Sequence, residues 1–86
     1  MPAAITPIRA VPELYALRDA ANARCNAARE AMQFAQGQLD RGRRLGAPQA
    51  TLDWWEREAE FARDRLDAAT GDWRRLTREI EGVEHG

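Results

Sequence analysis

The second half of the chain carries an uninterrupted seven-residue repeat of apolar positions. Two sets of five residues recur at this interval: Leu52, Ala59, Leu66, Trp73 and Ile80, then Trp55, Ala62, Ala69, Leu76 and Val83. The residues between them are mostly Arg, Asp and Glu. This is the a/d pattern of a helix that packs along another helix. It predicts a helix over about residues 49–83, roughly 50 Å long at about 1.5 Å per residue.

The first half carries two apolar stripes instead of one. The main stripe, spaced by three and four residues, consists of Leu14, Leu17, Ala21, Cys25, Ala28, Met32, Ala35 and Leu39. The second, roughly 120° around the helix, consists of Ala16, Ala20, Ala23, Ala27, Ala31 and Phe34. We therefore expect a first helix over about residues 13–44, with Cys25 buried as a small hydrophobe in its main stripe.

Glycine and proline place the turn between the two helices. Gly42, Gly46 and Pro48 fall within about residues 42–48, and glycine commonly ends a helix where proline begins one. Because so short a connection joins helices that run in opposite directions, we predict an all-α fold, an antiparallel hairpin of two long helices.

The register that follows from the turn places Leu39 near Leu52, Ala28 near Leu66 and Leu17 near Leu76. The large side chains of the two main stripes are then predicted to form the hairpin core. These are Leu14, Leu17, Met32, Leu39, Leu52, Trp55, Leu66, Trp73, Leu76 and Ile80.

The two ends of the chain are predicted to lie outside the hairpin. Residues 1–12 contain three prolines, which lack a backbone donor and disfavour helix at the preceding residue, so this segment is predicted to be an extended arm. Residues 84–86 are predicted to be a short tail. No apolar run approaches the roughly 20 residues that span a bilayer, and the N-terminus lacks the features of a signal peptide. We therefore expect a cytoplasmic protein without membrane association.

The composition argues against catalysis. The chain has no Ser, no Lys, one Cys and one His, and that histidine, His85, lies next to the last residue. A nucleophile and its base must be held within hydrogen-bond reach, which a frayed end does not provide. One Cys and one His also cannot form a structural zinc site. We expect no enzymatic activity, no metal, no cofactor and no small-molecule substrate.

The two halves carry opposite charge. Residues 1–46 hold seven Arg and four acids, a net charge of +3, whereas residues 47–86 hold six Arg and ten acids, a net charge of −4. Opposite charges favour pairing of the two halves, and a near-zero total gives no general attraction to nucleic acid. The use of Arg for all 13 basic residues is typical of a GC-rich genome.

Three aromatic residues lie outside the a/d positions. Trp54 and Phe61 are one heptad apart, and Phe34, from the second stripe of the first helix, comes to the same half of the hairpin. Large aromatics outside the seam can be the anchors of an interface, and a hairpin of this size is marginal alone. We predict a surface for a protein partner or a second copy, formed by Trp54, Phe61, Phe34, Ala27 and Ala31. The alternative is that the aromatics only flank the seam.

A cluster of basic residues, Arg41, Arg43 and Arg44, lies at the predicted turn. Arg is well suited to binding phosphate or carboxylate, which makes the three a candidate anion contact. No aromatic residue lies among them and no nucleic-acid-binding signature accompanies them. A solvated loop, or neutralisation of the negative end of the first helix, also accounts for them.

The sequence around the turn resembles a known family. It reads Gln38-Leu39-Asp40-Arg41-Gly42 and then, after the turn, Leu52-Asp53-Trp54-Trp55-Glu56-Arg57-Glu58-Ala59-Glu60. Over residues 14–69 this resembles the small co-chaperones of type III secretion needle subunits, the YscE/PscE family. The resemblance implies a hairpin that joins a larger helical-repeat chaperone and keeps the needle protein unassembled. The turn here is longer than that of the family, and the proline-rich segment and final helical turns are additional.

Our leading hypothesis is a non-enzymatic helical hairpin that acts by protein–protein interaction. It would form a homodimeric four-helix bundle or be the small subunit of a heteromer, for example a small chaperone, co-chaperone or assembly adaptor. A second hypothesis is a small phage or mobile-element protein that binds and inhibits a host protein. A third is nucleic-acid binding through Arg41, Arg43 and Arg44.

Overall fold

The computed structural model describes residues 11–85 and shows two long helices packed side by side. Helix α1 spans Val11–Leu45 and helix α2 spans Gln49–His85. Within these residues there is no strand. The prediction of an all-α helical hairpin is confirmed.

Both helices extend further than the sequence pattern indicated. α1 begins at Val11, so the last two residues of the predicted arm are helical, and the rest of that arm lies outside the described residues. Pro12 fits the first turn because its missing N–H has no partner there, and Glu13 lies at the positive end of the helix dipole. α2 continues to His85, since a hydrogen bond from Tyr15 to Glu84 ties its last turn to α1.

Gly46 ends α1 with a left-handed backbone conformation, at a φ of 69°. The N–H of Ala47 donates to the carbonyl of Gly42 at 2.8 Å, and the N–H of Gly46 donates to that of Arg43 at 3.4 Å. This is the Schellman pattern, which satisfies carbonyls that the helix end leaves free. The carbonyl of Pro48 then accepts bonds from the first turn of α2, so three residues suffice to reverse the chain.

Replacing glycine by alanine is expected to have opposite effects at Gly46 and Gly71. Gly46→Ala forces a side chain into the left-handed region and should lower the free energy of unfolding by about 1 kcal/mol. Gly71→Ala places a methyl group where no atom lies within 4 Å, in the middle of α2, and should raise it by about 0.5–1 kcal/mol. Urea unfolding followed by circular dichroism measures both. Shifts of the same sign would contradict the turn geometry.

The core between the helices is narrow and consists mostly of small side chains. Its ten buried apolar residues are Leu14, Ala21, Cys25, Ala28, Ala35, Leu39, Ala62, Ala69, Leu76 and Ile80. Leu14, Ala21, Leu76 and Ile80 form one cluster at the open end of the hairpin, and Tyr15 packs against it. The predicted burial of Cys25 is confirmed.

The residues predicted for the core divide into three groups. Four are buried, namely Leu14, Leu39, Leu76 and Ile80. Another four are half-buried, namely Met32, Leu52, Trp55 and Leu66. The remaining two, Leu17 and Trp73, are exposed, and for them the prediction was wrong.

Leu17 is 39% exposed because the seam on α1 passes through its neighbour. Leu14 and Ala21 are buried. Of the two half-buried residues between them, Tyr15 and Arg18, it is Arg18 that continues the seam at spacings of four and three. Leu17 lies about 100° from Arg18 around the helix and therefore falls on the flank of the seam. The aliphatic stem of an arginine can cover apolar surface while its guanidinium stays in water, which is how Arg18 occupies the position.

Trp73 is 37% exposed because the helices approach closely where it lies. The Sγ of Cys25 is 3.7 Å from the Oγ1 of Thr70, and Arg24 forms an ion pair of 3.4 Å with Asp72. These contacts place the small side chains of Ala21 and Cys25 opposite this part of α2. An indole does not fit between helices held so close, so part of the ring remains in solvent.

Three contacts define the register of the hairpin. Near the turn, Leu52 packs so closely against Gly42 that a methyl group added to this glycine would lie 2.9 Å from a methyl carbon of the leucine. At the middle, Cys25 meets Thr70, and at the open end the hydroxyl of Tyr15 donates to Glu84 at 2.8 Å. Leu52 thus meets α1 one turn closer to the loop than its predicted neighbour Leu39. The glycine permits this close approach.

The titration of Tyr15 reports on the packing of the two helices at the open end of the hairpin, away from the turn. Its hydrogen bond to the Glu84 carboxylate raises its pKa above the ordinary 10.0, as do partial burial and repulsion by that carboxylate, while the Arg18 guanidinium acts in the opposite direction. Because the pKa is raised on folding, the interaction stabilises the hairpin fully below about pH 10 and is lost as the pH rises through the folded-state pKa.

We expect Glu84→Gln to lower the pKa of Tyr15 towards 10.0, because the carboxylate charge is removed. Tyr15 is the only tyrosine, so phenolate absorbance during a pH titration measures it directly. Glu81→Gln, on the same exposed end of α2, is the control and should leave the titration nearly unchanged. Equal shifts in the two variants would mean that net charge acts and the hydrogen bond does not.

Candidate functional site

The hairpin presents two broad faces, one on each side of the plane that contains both helix axes. On α2, Trp54, Phe61 and Ala68 recur every seven residues, one position before the seam residues Trp55, Ala62 and Ala69. On α1, Ala27 and Phe34 likewise precede the buried residues Ala28 and Ala35, and Ala31 lies between them. Positions that precede the seam on two antiparallel helices turn to the same side.

Contacts between the helices support this assignment. Arg24 of α1 and Arg65, Ala68 and Asp72 of α2 line one small surface depression together. We call this side the aromatic face and define it by Phe34, Trp54, Phe61, Ala27, Ala31 and Ala68. All six side chains are exposed. Helical geometry therefore brings the five predicted partner-binding residues to one face.

The three aromatic side chains of this face are all more than half exposed. The exposed fractions are 59% for Phe34, 53% for Trp54 and 61% for Phe61. Together the rings leave roughly 350 Å² in solvent, if a large aromatic offers about 200 Å². The largest apolar patch of a typical monomer measures about 300–600 Å² and is often functional.

Two of these three rings contact a neighbouring side chain. Phe34 packs edge-on against Trp55 of the opposite helix, with ring centroids 5.5 Å apart and an interplanar angle of 77°. The guanidinium of Arg65 lies 5.8 Å from the centre of the Phe61 ring. Phe34 and Phe61 also lie at the same height on the hairpin, halfway between the Gly42–Leu52 and Cys25–Thr70 contacts. Each of these two rings therefore contacts a neighbouring side chain while most of its surface stays exposed.

The opposite side, which we call the charged face, has an open groove of about 690 Å³ beside the turn. Met32, Leu39 and Ala59 contribute apolar surface, and the remaining lining residues are Gln36, Asp40, Arg43, Asp53, Glu56, Arg57, Glu60 and Arg63. Acids and arginines are mixed there, and Arg43 donates to Glu56 at 3.2 Å. Across residues 11–85, no group of three or more His, Cys, Asp or Glu side chains is placed to hold a metal ion.

The structure does not bring the three turn arginines together as one anion site. All three are exposed in the last turns of α1, where Arg43 and Arg44 face the negative end of the helix dipole. Arg41 and Arg43 are two residues apart and thus point about 200° from each other. Arg43 also forms an ion pair with Glu56.

Three residues of the aromatic face region were missed from the sequence. Ala68 continues the heptad of Trp54 and Phe61, and Glu58 and Arg65 flank that row on the side of α1. Their spacing could have indicated them, since Glu58 and Arg65 are also seven residues apart. This spacing could be interpreted only once the exposed face of α2 was known.

Comparison with protein-family models, with curated proteins and with solved structures finds no match to this chain. The resemblance to the needle co-chaperones therefore stays a prediction. Neither α1 nor α2 has, among the described residues, a stretch apolar and long enough to cross a bilayer.

Proposed function

We propose that this hairpin is a non-enzymatic interaction module that binds another protein chain through its aromatic face. The observation that carries the proposal is the exposure of Phe34, Trp54 and Phe61 on one side of a hairpin in which half of the buried core residues are alanine. Covering about 350 Å² of aromatic surface is worth roughly 9 kcal/mol at about 25 cal/mol per Å². Association costs an estimated 4–15 kcal/mol, so the partner must present apolar surface of its own.

The shape of the face favours a helical partner. Ala27 and Ala31 on α1 and Ala68 on α2 are exposed and small, so the backbone there is accessible between larger side chains. Helices pack by inserting ridges of side chains into grooves of this kind. A small chaperone or assembly adaptor would use the face to cover an apolar helix of its partner.

The weakness of the core supports the same proposal. Six of its ten buried residues are alanine or cysteine, and only Leu14, Leu39, Leu76 and Ile80 are large. A single core of this size rarely supplies more than about 3–5 kcal/mol. Binding a partner stabilises the folded state by mass action, so association would also support the fold.

The test is affinity capture with two variants that place one new charge on opposite faces. Phe61→Asp alters the aromatic face, and Gln36→Asp alters the charged face, where the residue is exposed and lines the groove. We expect Phe61→Asp to abolish both self-association and capture of other proteins, and Gln36→Asp to retain them. Circular dichroism verifies that both variants remain helical. Binding that survives Phe61→Asp, or is lost equally in both variants, would contradict the proposal.

A further inference from the structure

We infer that the occupant of the aromatic face is a second copy of this chain, with the two hairpins antiparallel and a two-fold axis passing beside Phe61. The inference rests on the proposed function and specifies its partner. In this arrangement α2 of one copy lies along α2 of the other. The two turns point in opposite directions.

The first observation is a symmetry of size along the exposed row of α2. Trp54 lies seven residues before Phe61, and Ala68 lies seven residues after it. A two-fold interface is self-complementary, since residue i of one copy meets residue j of the other and the reverse contact also forms. Reversal about Phe61 places each Trp54 against the Ala68 of the second copy. The largest side chain of the row thereby meets the smallest, twice.

The second observation is that the charges flanking this row are complementary under the same reversal. Glu58 lies three residues before Phe61 and Arg65 lies four residues after it, so each Glu58 meets the second copy's Arg65. The offset of one residue is about 1.5 Å along the helix, within the reach of both side chains.

The dimer thus gains two pairs of opposite charge, both on the flank of the row that faces α1. Such flanking pairs set the partner and the orientation of packed helices.

The contribution of α1 follows from the register of the hairpin. Because Phe34 lies at the height of Phe61, it also lies beside the two-fold axis. The two copies then bring four phenylalanine residues to the level of the two-fold axis, midway along a four-helix bundle. The edge contact with Trp55, six residues nearer the turn than Phe61, already fixes the orientation of the Phe34 ring.

The extent of the contact suits a stable dimer. Reversal about Phe61 overlaps the two α2 helices from Gln49 to Trp73, roughly 36 Å. A specific interface buries about 800 Å² per partner. The three rings supply roughly 350 Å² of this, and the exposed alanines and the stems of the flanking arginines adjoin them. An unrelated partner would impose no symmetry about Phe61 on the order of sizes and charges, whereas a second copy does.

A charge exchange tests the occupant and the pairing together. Glu58→Arg and Arg65→Glu, each alone, place like charges opposite each other twice in the dimer and should raise its Kd at least tenfold. The double variant should return the Kd to within about threefold of the original. An equimolar mixture of the two single variants should form heterodimers of similar affinity. Residues 58 and 65 of one copy are about 10 Å apart along the helix, so restoration cannot arise within one chain.

Sedimentation velocity of the purified full chain over a concentration series measures these constants. A purified chain that stays monomeric throughout would overturn the second copy as occupant. If Phe61→Asp then still abolished capture of a different protein, the proposed function would stand with another partner. A dimer whose double variant and mixture are as weak as the single variants would overturn the antiparallel pairing.

A distance measurement tests the orientation independently. Spin labels on Leu45→Cys, in a Cys25→Ala background, report the separation of the two turns, and Leu45 is exposed enough to carry a label. Leu45 lies 11 residues from Phe34, so the antiparallel dimer predicts a separation of about 33 Å. Turns within about 20 Å of each other would mean that the hairpins are parallel and would overturn the proposed arrangement.

Discussion

Leu76→Ala is expected to lower the free energy of unfolding by about 3 kcal/mol, which would leave a large fraction of the isolated chain unfolded at room temperature. Leu76 is buried in the cluster with Leu14, Ala21 and Ile80 at the open end. The two members of this cluster on the opposite helix cannot refill the volume, because Ala21 is small and Leu14 already packs fully. A hairpin with a core of this size holds only about 3–5 kcal/mol in total.

Urea unfolding followed by circular dichroism measures this effect, at one low protein concentration so that association does not contribute. The matched control is Leu45→Ala, the same substitution at a residue that is 72% exposed. It should change the free energy of unfolding by less than about 0.5 kcal/mol. Similar losses from the two variants would mean that the hairpin is not held together by the cluster at its open end.

The hairpin itself could be predicted because its determinants are local. The heptad of α2 required no knowledge of a partner helix, and its positions Ala62, Ala69 and Leu76 are buried. The turn followed from Gly46 and Pro48, whose backbone preferences act within a few residues. Such features depend on the order of residues along one segment of chain, which the sequence contains directly.

The errors in the core involve two helices at once. Leu17 and Arg18 compete for one seam position, and hydropathy favours the leucine although the arginine stem occupies the site. Trp73 has a correct heptad phase, but its burial depends on the size of the residues across the seam. Those residues, Ala21 and Cys25, could be identified only once the register of the two helices was known.

The candidate site, like the hairpin, could be predicted where its determinants lie within one helix. Trp54 and Phe61 could be placed off the seam from their spacing alone, and Phe34 followed from the second stripe of α1. Arg41 and Arg43 point in different directions because α1 continues to Leu45. Helical geometry, and not a flexible loop, therefore sets the positions of their side chains. The charges beside Phe61 acquire meaning only after that ring is known to lie on an exposed face.

Trp54→Ala and Trp55→Ala are expected to separate association from folding, although the two residues are adjacent. Trp54 lies on the aromatic face with 53% of its surface exposed, so its loss removes an interface anchor. Truncation of such an anchor costs about 2 kcal/mol or more of binding, which is at least a tenfold rise in Kd. The helical signal and the unfolding of the monomer should remain nearly unchanged.

Trp55→Ala should instead lower the melting temperature, because it removes a half-buried ring from the seam and leaves a hole. We expect a loss of about 2 kcal/mol in unfolding free energy, measured at low concentration where the chain is monomeric. Some weakening of association should accompany it, since Trp55 supports the exposed Phe34 from below. The test is therefore to compare, within each variant, the loss of unfolding free energy with the rise in the Kd of association. Equal losses of stability from both, with the dimer unchanged, would make Trp54 part of the hairpin core and would place the binding face elsewhere.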